Sequence, residues 1–297
     1  MQNQKGSRIM LAAAMVIFGT LAPFVRNIPV SSGQLALCRA VMASVFIVIF
    51  FLIRGKAPNF AGAKKDILPL IFSGFAMGIN WILLFEAYKY TTVSVATLSY
   101  YFAPVIVIIV CPLLFKEKLT KKQIVCFVMS TIGLCLVINI AGLGGGSDHI
   151  GILFGLGAAL FYATVILLNK FIKGIAGIER TFLLFVAAAV ILIPYVALTG
   201  GVTFEGMGTK GWICLVIVGI VHTGFAYCLY FTGLKNIPGQ AAAILSYVDP
   251  LVAVIISVAV LNEALTVLQL IGGILILGFT LLNELNVEKW IKPRNKQ

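Results

Sequence analysis

Apolar residues in this chain come in unbroken runs, with the polar positions gathered into short gaps between them. Neither a strand alternation nor a one-faced helical stripe describes that pattern. The runs are roughly 17 to 25 residues long, enough at about 1.5 Å per residue to cross some 30 Å of hydrocarbon. Cutting them at charges, Gly and Pro predicts ten membrane-spanning helices, at 8–25, 33–53, 67–88, 92–115, 121–140, 150–170, 179–199, 210–232, 238–261 and 266–285.

Composition sharpens this to an all-α integral membrane protein. Of the 297 residues 11% are charged and 61% apolar, with a mean hydropathy of +1.07, whereas a soluble chain keeps about a quarter charged. Lys5 and Arg8 ahead of an apolar run resemble a signal peptide, but the small residues Ala12 to Ala14 open the run instead of following it. The run therefore reads as a retained first span. The six cysteines (Cys38, Cys111, Cys126, Cys135, Cys214, Cys228) lie inside apolar runs with no CxxC or Cys/His spacing, so they read as packing residues, and no metal or cofactor is expected. The chain has no GxxxxGK[ST] phosphate loop, so any active transport is secondary.

The net charge of +12 would point to nucleic acid in a soluble chain. Here the ten-helix reading leaves only Arg26, Lys89 and Lys210 outside, with Arg39 within the second span and the rest of the 22 Lys and Arg on one side. The positive-inside rule then places both termini in the cytoplasm and the chain in the cytoplasmic membrane. The charge follows from topology, and nucleic acid is not needed as a partner.

The chain also says one thing twice. A shift of 146 positions pairs Phe85 with Phe231, Lys89 with Lys235, Tyr101 with Tyr247, Pro104 with Pro250, Glu117 with Glu263 and Thr120 with Thr266. This divides the chain into a first five-helix repeat at 1–141, a Gly-rich connector at 142–148, a second repeat at 149–288 and a basic tail at 289–297. Five is odd, so the second repeat enters the membrane from the opposite side, and two inverted halves can exchange roles to open a cavity to either face.

Ten spans in five-plus-five, Leu37-Cys38-Arg39-Ala40 in the second, Pro104 and Pro250 mid-helix, and the ends Glu117-Lys118-Leu119-Thr120 and Glu263-Ala264-Leu265-Thr266 resemble the EamA family of the drug/metabolite transporter superfamily. The resemblance covers nearly the whole chain. It implies the ten-helix inverted-repeat fold and a transporter, in a family associated with export of amino acids and related metabolites, uptake of some solutes and drug efflux. Asp249 departs from the repeat, since its first-half partner is Ala103.

Within that frame a few polar residues lie too deep to be casual. Asp249 falls about 11 residues into the ninth span, roughly 16 Å along the crossing, where a carboxyl group serves either substrate and protons or a hydrogen bond that ties two helices. Pro250 frees the carbonyl of Ser246 and Pro104 that of Tyr100, giving acceptors for a substrate ammonium or ordinary kinks. Trp81, Phe85 and Tyr88 share a helix face, as do their counterparts Tyr227, Phe231 and Leu234. With Tyr100, Tyr101 and Tyr247 they make a cation–π pocket or plain aromatic packing. Arg39 and Glu86 suit an ion-pair gate, a carboxylate-binding Arg or a structural bridge. Asn80 and His222 are second-rank candidates for substrate and gate, each open to an interhelical bond. Glu117 and Glu263 read as turn and cap residues, and Gly133, Gly272, Gly273 and Gly278 as close-packing positions.

The chain thus reads as a secondary active transporter of small metabolites, amino acids or related amines first, by alternating access with proton-coupled export. Its partners would be a small-molecule substrate, protons and membrane lipids, and it would work as a monomer or homodimer. The alternative is an organic-cation or drug transporter. An intramembrane enzyme on His222 and Asp249 and a non-transporting membrane subunit are the remote readings.

Overall fold

The computed structural model describes residues 2–55, 58–115, 120–138, 148–169, 171–175, 177–234, 245 and 248–284. Among them every regular element is helical. In chain order these are α1 (Gln2–Gly19), α2 (Leu21–Val25), α3 (Ser32–Arg54), α4 (Ile67–Tyr90), α5 (Val93–Tyr100), α6 (Ala103–Phe115), α7 (Lys121–Ile138), α8 (Asp148–Asn169), α9 (Gly177–Leu198) and α10 (Thr209–Val216). A π-helical stretch, Ile217–Phe225, then leads into α11 (Ala226–Leu234), followed by α12 (Val248–Ala259) and α13 (Val267–Glu284). Six helical stretches are long and apolar enough to cross a bilayer: Lys5–Val25, Ser32–Arg54, Ala63–Tyr90, Asp148–Asn169, Gly177–Leu198 and Thr209–Tyr230. Four shorter apolar helices, Val93–Val107, Ile124–Leu136, Val248–Ala259 and Val267–Phe279, accompany them. The connector at 142–147 and the tail at 289–297 lie outside the described residues.

Local signals set the helix ends. Ser31 caps α3 by accepting from the Gln34 N–H at 3.1 Å, and Thr92 caps α5 by accepting from the Val95 N–H at 3.2 Å. At α13 a reciprocal capping box forms, with Gln269 Oε1 accepting from the Thr266 N–H at 3.0 Å and Thr266 Oγ1 from the Gln269 N–H at 3.2 Å.

Three predicted spans are interrupted. The first breaks at Thr20, the fourth at Tyr101–Phe102, and the eighth carries the π stretch in its middle. Pro104, expected mid-helix, falls instead in the first turn of α6, where a missing N–H leaves no intrahelical bond unmade, while the two residues ahead of α12, which holds Pro250, lie outside the described residues.

Large apolar side chains point outward, with Leu198 87%, Ile53 82% and Leu52 74% exposed, while the interior is filled by small residues such as Ala36, Ala40, Ala43 and Ala158 around Phe85 and Phe185. That distribution suits a hydrocarbon surround, where close helix approach replaces the hydrophobic effect. Helix α4 packs on α8 and α9, α1 on α11 and α12, α3 on α9 and the π stretch, α5 on α8, and α7 on α13.

Candidate functional site

The small side chains of α3 bring it close enough to its neighbours to bury Arg39, which is 3% exposed. Its guanidinium lies over the Trp81 ring at 4.3 Å and the Phe85 ring at 5.3 Å, both on α4. Its Nε donates to Thr223 Oγ1 at 3.0 Å. Thr223 sits in the π stretch and donates its own hydroxyl hydrogen bond to the carbonyl of Val218, five residues back, at 2.8 Å. Its oxygen is therefore oriented to accept from Arg39.

Among the described residues no carboxylate comes within ion-pair distance of Arg39, since the ion pairs there are Arg26–Glu263 and Lys89–Glu86. The Arg39–Glu86 pair drawn from the sequence does not form. Glu86 takes Lys89, one turn away on the same helix, at 2.9 Å in an exposed position. Aromatic faces and one hydroxyl meet the Arg39 charge instead.

Asp249 stands in the first turn of α12, half-buried, with its Oδ2 accepting from the Tyr101 hydroxyl at 2.5 Å. The break between α5 and α6 places Tyr101 there. Tyr100 packs edge-on against Tyr101, with ring centroids 5.5 Å apart, and against Tyr162 of α8 at 5.2 Å. Close contact with α1 fixes the position of α12, since a Cβ built at Gly19 would lie 2.6 Å from the Asp249 carbonyl oxygen.

A wall of rings joins the two charged positions. Trp81 meets Phe185 at 5.7 Å, Phe185 meets Tyr227 edge-on at 5.1 Å, and Tyr227 meets Phe18 at 4.9 Å. Tyr88 and Tyr227 stand close enough to both Arg39 and Asp249 to feel each charge. The structure thus gathers Arg39, Trp81, Tyr101, Tyr227 and Asp249 in one interior region.

Other sequence candidates are spent elsewhere. Asn80 donates from Nδ2 to the Ala158 carbonyl at 2.6 Å, tying α4 to α8. His222 lies between Thr20 Oγ1 at 3.2 Å and the Ile217 carbonyl at 3.3 Å, with its ring 4.9 Å from that of Phe24. Both take the interhelical role that their depth also allowed. Ser246, Tyr247 and Glu117 lie outside the described residues, as do the side chains of Pro104, Phe231 and Leu234. Glu263 is not the cap of its own helix, because Thr266 and Gln269 do that. It reaches instead to Arg26 at 2.5 Å and to the Val93 N–H at 2.8 Å.

Sequence reasoning missed Thr223, Tyr162 and Phe185. A hydroxyl or ring inside an apolar run is ordinary there, and only contact across helices gives it a role.

The model of the EamA-like transporter family matches residues 7–139 and again 149–284. The chain belongs to the EamA-like transporter family. It is 29% identical to the uncharacterized transporter YxxF of Bacillus subtilis (strain 168), over 92% of this chain and 88% of that one. It is 25% identical to the threonine/homoserine exporter RhtA of Escherichia coli (strain K12), over 84% and 81%. A crystal structure with 17% identity superposes with a TM-score of 0.63, covering 93% of this chain and 96% of the other, and shares the fold. EamA membership makes this a multi-pass membrane protein of a transporter family.

Proposed function

We propose that this EamA-family chain is a secondary transporter of small metabolites bearing both an ammonium and a carboxylate, amino acids or related amines, across the cytoplasmic membrane. The observation that carries this reading is a buried guanidinium, Arg39, with no carboxylate partner among the described residues, on the same ring-lined interior as the Tyr101-bound carboxyl group of Asp249. A zwitterion supplies the missing anion to Arg39 and an ammonium to Asp249, and the rings wall off water between them. Protons exchange at Asp249, whose hydrogen bond from Tyr101 is remade when the ammonium leaves. Export is the direction favoured by the likeness to the exporter RhtA.

Two inverted five-helix halves provide the alternating access. Two observations support that architecture. The family match falls in two stretches of similar length, and the helix pairings map onto themselves when the halves are exchanged: α4 on α8 answers α11 on α1, and α6 on α8 answers α12 on α1.

A thermal-shift screen in detergent tests the substrate class, because a ligand at 100 times its Kd stabilises the folded state by about 2.7 kcal/mol. Amino acids should raise the melting temperature and be exchanged in proteoliposomes. Stabilisation by organic cations alone would instead establish the second reading, an organic-cation or drug transporter, which the ring wall around Asp249 also favours and which has no use for Arg39.

A further inference from the structure

We propose that Arg26 and Glu263 form the outer gate of this transporter, closed in this structure, and that α12 links the gate to Asp249. The proposal rests on the transport reading above and on the positive-inside orientation, which places Arg26 outside. Arg26 follows α2. Its Nη1 meets Glu263 Oε1 at 2.5 Å, while its Nη2 donates to the carbonyls of Tyr88 and Thr91 at 3.3 and 3.2 Å, at the last turn of α4. Glu263 Oε2 accepts from the Val93 N–H at 2.8 Å, at the first residue of α5, and from the Ser257 hydroxyl of α12.

One carboxylate thus closes a ring of bonds among α2, α4 and α5 on one side and α12 with the link to α13 on the other. All of these elements border the Asp249 region. Asn262, directly before Glu263, has a φ of +54°, a left-handed conformation that only a few residue types hold without strain. The turn aims Glu263 inward and gives the link a residue able to change conformation. Helix α12 is a single rigid element with Asp249 in its first turn and the gate just past its end. A change of bonding partner at Asp249 that tilts α12 must therefore move Ser257 and Glu263. Three charge-assisted bonds on one group are strong enough to hold the closed state and few enough to be broken together.

The test uses the full chain in nanodiscs, with its native cysteines replaced and spin labels at Pro29→Cys and Ala264→Cys, both exposed positions flanking the gate. Without ligand, the parent should show one short distance. Glu263→Gln should raise the long-distance fraction roughly tenfold or more, as the loss of a hydrogen bond to a charged group implies. Arg26→Gln should do the same, and Arg26→Lys, which keeps the charge, should restore the short distance. A lower melting temperature with an unchanged distance distribution in both Gln variants would mean a structural clamp and overturn the gate. Because this readout needs no substrate, it stays separate from the ligand screen: an opened gate with no stabilising solute would overturn the transport reading.

Discussion

A buried guanidinium without a carboxylate partner costs stability, and a protein that keeps one is retaining it for something other than folding. Arg39→Met should leave the melting temperature unchanged or higher, since a flexible apolar side chain over Trp81 and Phe85 replaces a buried charge with no carboxylate partner among the described residues. Transport of amino acids should fall by about tenfold or more while any transport of simple amines persists, which a competition assay in proteoliposomes reads directly. Asp249→Asn should abolish exchange of both, with the protein still monodisperse by size exclusion. Tyr101→Phe removes one hydrogen bond to a carboxylate, worth about 1.5–3 kcal/mol, and should weaken transport by roughly 10- to 100-fold without abolishing it. Arg39 and Asp249 were legible in the sequence because an ionisable residue inside twenty apolar ones cannot be an accident of composition. Thr223 and Tyr162 were not, since each acquires its role only from a side chain on another helix.

At the scale of the helices, what decides the site is where regular geometry stops. The turn at Tyr101–Phe102 delivers a phenol to Asp249, and the π stretch delivers Thr223 to Arg39. Neither break could be read from periodicity, because an all-round apolar run carries no register to lose. Close approach fixes the remaining geometry. At Gly19 a Cβ would meet the Asp249 carbonyl and the Val252 side chain at 2.6 Å, whereas at Gly278 it would meet nothing within 4 Å. Gly19→Ala should therefore cost about 1–3 kcal/mol and impair transport, as α12 is pushed off α1. Gly278→Ala should be neutral or stabilising by up to about 1 kcal/mol, the gain in helix propensity. Thermal melts of the pair in one detergent give the comparison, and equal effects would mean that α1 and α12 do not meet as closely as the structure has them.

Across the whole molecule, the contacts between links sort them onto two ends. Gln34 at the start of α3 exchanges hydrogen bonds with Thr203 of the α9–α10 link, and Arg26 joins Thr91 to Glu263. At the other end Asp66, which precedes α4, accepts from the Gly174 N–H of the α8–α9 link at 2.5 Å, and Phe60 stacks on Phe182. If the spans are the ten read from the sequence, contact between the link after the third and the link after the ninth requires an even number of crossings between them. That is the count an odd repeat supplies, and it is why inversion is the architecture proposed. The prediction concerns sidedness. In intact cells a membrane-impermeant thiol reagent should label cysteines introduced at Phe204 and Ala264 and fail to label those at Asn59 and Lys173, all of them in links between helices. In inverted vesicles the pattern should reverse. Labelling of Asn59 and Phe204 from the same face would break the inversion, because it leaves an even number of crossings where the repeat needs five, an odd one.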